Sequence, residues 1–141
     1  HAALAKSNDD EIAAIARKSA KESAYHLRHS RVWMVRLGDG TEESRAKVQE
    51  SLDQLLPFVG DLFVGDDVAE TAEREGWGVN PAHLREAWEA EVASMLEESG
   101  LRRPESAPEQ IGGRRGIHTE SLSYLLAEMQ VLPRTYPDAQ W

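Results

Sequence analysis

The chain has 141 residues, no cysteine, and 25 acidic against 16 basic residues, a formal net charge of −9. Disulfides, thiolate metal sites and cysteine nucleophiles are therefore excluded, and the negative balance opposes nucleic acid or an anionic membrane surface as the main partner. The length suits one helical domain over residues 1–141 with a core of its own, and a second independent domain is not expected.

The chain opens on His1 with no signal-peptide pattern, so it reads as a piece of something longer or as preceded by a tag. The first periodic segment starts at Asp9, whose carboxylate can cap while Asp10 and Glu11 favour the positive end of the helix dipole. A helix from there to Leu37 would be about 43 Å long at 1.5 Å per residue. Its expected core stripe runs Ile12, Ile15 or Ala16, Ser19, Ser23, His26, Ser30, Trp33 and Leu37, and Gly38 stops it. Thr41 caps a second helix, making Gly38–Asp39–Gly40 a tight turn between two antiparallel helices.

The second helix presents Val48, Leu52, Leu55, Leu56, Val59 and Phe63 on one face, with a kink expected at Pro57. The apolar run from Leu55 to Phe63 is broken by Pro57, Gly60 and Asp61, and no run reaches membrane-spanning length. A short helix follows from Asp67 to Glu75, ended by Gly76. Asn80–Pro81 then pairs a cap with a first-turn proline and opens a helix through Leu84, Trp88, Val92, Met95 and Leu96. Residues 97–115 turn polar and rich in Gly, Pro, Ser and Arg, which predicts an extended surface connection. Thr119 is placed to cap a buried closing helix carrying Leu122, Leu125, Leu126, Met129 and Leu132, ending before Pro133. No strand pattern of useful length occurs, so the class is all-α.

Two long helices with wide apolar faces cannot bury both against short ones, because helix stability in proteins comes mostly from tertiary packing. Further helices, from the same polypeptide or from a partner, are therefore expected to cover the exposed side.

The chemistry a helical bundle most readily hosts is a di-iron carboxylate centre, which places Glu-x-x-His on one helix face. The positions three before His26, His29, His83 and His118 are Ser23, His26, Asn80 and Arg115, so the pattern is absent. The nearest remnant is Glu22–Ser23–Ala24–Tyr25–His26, with spacing of four and Ser23 at the ligand position. Glu22 and His26 could share a metal, but the pair leaves most of a coordination shell unfilled. The plainer expectation is a buried histidine hydrogen-bonded to a neighbouring carboxylate. Glu91, on the face of Leu84, Trp88 and Met95, is a further candidate whose plainer role is an ion pair with Arg28, Arg31 or Arg36. Gly112–Gly113–Arg114–Arg115–Gly116 offers glycines and two guanidiniums that could clasp phosphate, including those of a coenzyme A ester. A solvated turn or subunit contact is the simpler reading, since the lysine and hydroxyl of a P-loop are missing.

Four colinear blocks carry a resemblance: KESAYHLRHSRVWMVRLGDGTEES from Lys21 to Ser44, HLREAWEAEV from His83 to Val92, GIHTESLSYLLAEMQ from Gly116 to Gln130, and the ending from Thr135 to Trp141. Together they resemble the C subunits of ring-1,2-phenylacetyl-CoA epoxidase. The resemblance implies a cytoplasmic, ferritin-like bundle without its own cofactor, supporting a catalytic A subunit whose di-iron site epoxidises phenylacetyl-CoA. It implies contacts with that subunit, with others of the complex or with itself, and no direct part in catalysis. Glu22, Ser23, His26 and Glu91 would then mark a lost metal site. Members of that family carry helices before the point at which this chain begins. Two alternatives remain: a metal-dependent oxygenase component whose site is completed by helices outside this sequence, and a coenzyme A ester binding module using Arg114 and Arg115.

Overall fold

A computed structural model describes residues 1–105 and 108–140. Two residues of the 97–115 connection, 106 and 107, and the terminal Trp141 lie outside the described residues. Among the described residues there are five α-helices, joined by short 3₁₀ segments, and no strand. The all-α class is borne out, consistent with a ferritin-like bundle. The chain divides into two compact units, residues 1–110 and 111–141.

In the first unit, α1 runs Asp10–Gly38, with Asp9 accepting from the amides of Glu11 and Ile12 at 3.0 and 2.9 Å. α2 runs Glu42–Leu55 and is capped by Thr41, whose hydroxyl accepts from the Ser44 amide at 3.1 Å. The reversal between them is tied by Ser44 donating to the Leu37 carbonyl at 2.8 Å and Arg45 to the Gly38 carbonyl at 2.6 Å. At Pro57 the chain tightens instead of kinking, and Leu56–Phe63 is 3₁₀. The missing proline donor near a helix end makes that change cheap. α3, Asp67–Arg74, is capped by Asp66. Asn80 accepts from the Ala82 amide to open a 3₁₀ turn, Pro81–Leu84, and α4 follows as Arg85–Ser99.

The core of this unit is Val92, Leu96 and Leu101, flanked by Met34, Val48, Leu52, Trp88 and Met95 from α1, α2 and α4. Gly38 sets how closely α1 meets the end of α4, because a Cβ there would lie 2.3 Å from the Ser99 carbonyl oxygen. The expected surface connection is corrected at its start: Glu97–Ser99 remain helical, and Ser99 and Leu101 are buried. α4 continues until Gly100 takes the left-handed conformation that ends helices, and Leu101 then folds back on Leu96, its amide donating to that carbonyl.

The second unit holds a 3₁₀ turn, Gly113–Arg115, and α5, Glu120–Thr135. Thr119 occupies the cap position, but its hydroxyl caps no amide. The backbone there is already extended, and water can satisfy first-turn amides at an exposed residue. α5 also passes through Pro133 to Thr135, held by the Tyr136 amide donating to Leu132 and the Thr135 hydroxyl donating to Val131. A proline in the last turn removes one bond and leaves a carbonyl that can face solvent. The helix expected to be buried is exposed, with Tyr124 and Met129 each at 66%. Among the described residues of this unit there is no second α-helix to cover it.

Candidate functional site

α1 has two unlike sides, a consequence of its 100° turn per residue. One side carries Ala13, Ala16 and Gly38, all buried, with Arg31 and Met34 half-buried. The other carries Ile15, His26, His29, Trp33 and Leu37, all exposed, with Tyr25 and Val32 at its edge. Along it the rings form a ladder. Tyr25 stacks on His29 with centroids 6.2 Å apart, and His29 meets Trp33 edge-on at 6.4 Å. Arg28 and Arg36 lie over the Tyr25 and Trp33 rings at 5.6 and 5.7 Å. The four-residue spacing that stacks these rings is visible in the sequence, although of Tyr25, His29 and Trp33 the expected stripe contained only Trp33.

The Glu22–His26 pair lies on this side. Its nearest approach is 4.0 Å, with both side chains more than 70% exposed. The expected buried histidine is thus corrected: within this chain His26 is exposed, because α4 packs on the other side of α1. Ser23 is half-buried and its hydroxyl lies 2.6 Å from His1 Nδ1.

Glu91 joins none of these residues. Arg31 donates to it at 2.8 Å, to Glu98 at 2.8 Å and to the Ser94 hydroxyl at 2.9 Å, so one guanidinium clasps α1 to α4. The Glu98 hydrogen bond is the main influence holding the Arg31 pKa above its ordinary value; desolvation opposes it, and Glu91 adds to it. Of the three arginines within reach of the expectation for Glu91, Arg31 is the one used. Glu98 and Ser94 were missed, though Glu91, Ser94 and Glu98 recur at three and seven residues, the spacing of one helix face. Among the described residues, no three His, Asp or Glu side chains converge in a way that could hold a metal ion. The donor set on α1 fits a di-iron centre poorly, since Ser23 supplies no carboxylate at the three-before-histidine position.

Arg114 and Arg115 sit in the second unit, exposed on the Gly113–Arg115 turn. The glycines do set its shape: Gly112 and Gly116 take φ of 121° and 79°. The turn closes on itself, with the amides of Arg115 and Ile117 both donating to the Gly112 carbonyl.

A groove of about 350 Å³ lies elsewhere in the first unit, between the 56–63 segment, α4 and the residues following α4. Pro57, Val59 and Trp88 line it with Arg85, Arg103, Glu89 and Glu109. Four of its charged residues are paired across it, Arg85 with Glu109 and Arg103 with Glu89.

The family described as phenylacetic acid catabolic protein matches residues 1–141. The chain belongs to that family. It is 44% identical over 138 residues to the C subunit of 1,2-phenylacetyl-CoA epoxidase from Escherichia coli (strain K12), a match covering 98% of this chain and 56% of the relative. The chain thus spans little more than half the length of that relative. Family membership and the similarity to an epoxidase C subunit agree with the resemblance carried by the four sequence blocks. No helix of the described residues is long and apolar enough to cross a membrane.

Proposed function

We propose that this chain is a non-catalytic structural part of a cytoplasmic, multicomponent phenylacetyl-CoA epoxidase, supporting a di-iron catalytic subunit and holding no cofactor of its own. The observation that carries this reading is the uncovered side of α1. Ile15, Tyr25, Val32, Trp33 and Leu37 are 37–61% exposed on a helix whose buried residues, Ala13, Ala16 and Gly38, lie on the other side. Large apolar side chains each gain about 1.5–3 kcal/mol on full burial, so such a face is made to be covered by further helices. The similarity to an epoxidase C subunit supports the choice of assembly, and Ser23 at the ligand position supports a scaffold over a metal-bearing role.

Size-exclusion chromatography of the full-length protein mixed with the catalytic subunit tests the reading. Co-elution at micromolar concentration is expected, and two separate species would overturn it. The rival, a metal oxygenase completed by helices outside residues 1–141, gains its support from Glu22 and His26 sharing one face. Stoichiometric iron in the purified full-length protein that disappears in His26→Ala would establish that rival.

A further inference from the structure

α1 is a basic element in an acidic chain. From residue 17 to residue 36 it carries six cations, Arg17, Lys18, Lys21, Arg28, Arg31 and Arg36, against one carboxylate, Glu22, although the whole chain has a net charge of −9. The cations on its two sides are held differently. Arg31, toward α4, is satisfied by Glu91 and Glu98. At the edge of the open side, Lys18, Lys21, Arg28 and Arg36 are exposed, and among the described residues none of the four lies within ion-pair distance of a carboxylate. Arg28 and Arg36 rest instead on the rings of Tyr25 and Trp33.

Lys18, Lys21, Tyr25, Arg28, Val32 and Arg36 follow one another by three or four residues, so they form one stripe along the helix. The stripe is about 27 Å long at 1.5 Å per residue. Tyr25 and Val32, 53% and 42% exposed, place apolar surface between its charges. A guanidinium resting on a ring has given up side-chain freedom before any partner arrives, and its planar fork of N–H donors matches a carboxylate. The length and the spread of charge suit a helix lying alongside, not a compact anion. Nucleic acid fits less well, because its phosphates would meet the carboxylates that outnumber cations in the rest of the chain.

We propose that this stripe docks an acidic helix of the catalytic subunit, whose carboxylates pair with Arg28 and Arg36 while its apolar residues cover Tyr25 and Val32. Given the structural role proposed above, on which this assignment rests, the stripe supplies the place and the chemistry of the contact. Partner carboxylates complete cations that the chain's own acidic residues leave open, so the stripe selects its partner by charge as well as by shape.

Titration calorimetry of the full-length protein with the catalytic subunit tests this, comparing wild type with the double variant Arg28→Glu/Arg36→Glu at low and at physiological ionic strength. The double variant should bind roughly tenfold or more weakly, and wild-type affinity should fall with salt more steeply than that of the variant. The thermal midpoint of the full-length variant alone should not fall, since both guanidiniums are exposed. Wild-type affinity and salt dependence in the double variant overturn the docking stripe and leave the structural role standing. A wild type that does not associate at all removes the structural role, and the stripe's assignment with it. A lowered midpoint in the variant alone also overturns the assignment, because the stripe is then covered within its own polypeptide. Binding of a DNA duplex by the wild type that the double variant loses would give the stripe to nucleic acid instead.

Discussion

The two sides of α1 differ in the size of the apolar residues they bury and expose. Toward the rest of the unit the helix presents Ala13, Ala16 and Gly38, which allow close approach, and its one long polar residue there, Arg31, is satisfied by three partners on α4. Away from it stand Ile15, Tyr25, Trp33 and Leu37, larger and uncovered. A soluble monomer would ordinarily show the reverse, since large apolar side chains gain most from burial. The packed side holds this chain together, and under the proposed function the open side takes a further layer.

That division can be broken on its packed side. Leu96 is 4% exposed at the centre of the core, and Leu96→Ala should lower unfolding free energy by about 2–5 kcal/mol. Urea denaturation followed by circular dichroism measures it, and a change below about 1 kcal/mol would place the core elsewhere. Gly38→Ala should come next, at about 1–3 kcal/mol, because the added methyl meets the Ser99 carbonyl oxygen, backbone that has to move as a whole. If Gly38→Ala unfolds at the wild-type midpoint, α1 and α4 do not meet as closely as that contact requires. Asp9→Ala leaves both sides untouched and removes only the cap of α1, for about 1 kcal/mol in the same experiment.

The helices were legible in the sequence wherever their ends carry local chemistry. Asp9, Thr41, Asp66 and Asn80 each cap where a side-chain oxygen meets a free amide, and Gly38 and Gly76 end or follow helices as glycine should. What periodicity could not reveal was which side of α1 this chain buries. Ile15, His26 and Trp33 recur at helical spacing as well as Ala13 and Ala16 do, and hydropathy favours the larger residues. The choice rests on α4, which approaches where Gly38 is small and Arg31 finds its carboxylates, and such long-range pairing leaves no local trace. The ion pair of Glu91 could be narrowed to three arginines because it lies on an apolar face. The Arg85–Glu109 pair was invisible, since its two residues lie far apart in sequence.

The smallest expected stability effect tests the open side most directly. Trp33 is 47% exposed and its ring contacts, His29 and Arg36, are neighbours on α1. Trp33→Ala should therefore change the unfolding free energy of this chain by no more than about 0.5 kcal/mol, the range for substitutions away from packed features. If the open side is an assembly face, the same substitution in the full-length protein should weaken association with the catalytic subunit or destabilise the longer fold by several times that amount, because a large aromatic in a packed contact carries much of its energy. Titration calorimetry and thermal unfolding of the full-length variant separate those two outcomes. A variant indistinguishable from wild type in both would mean that the aromatic ladder of α1 faces solvent in the mature protein, and the scaffold role would then have to rest on α5 instead.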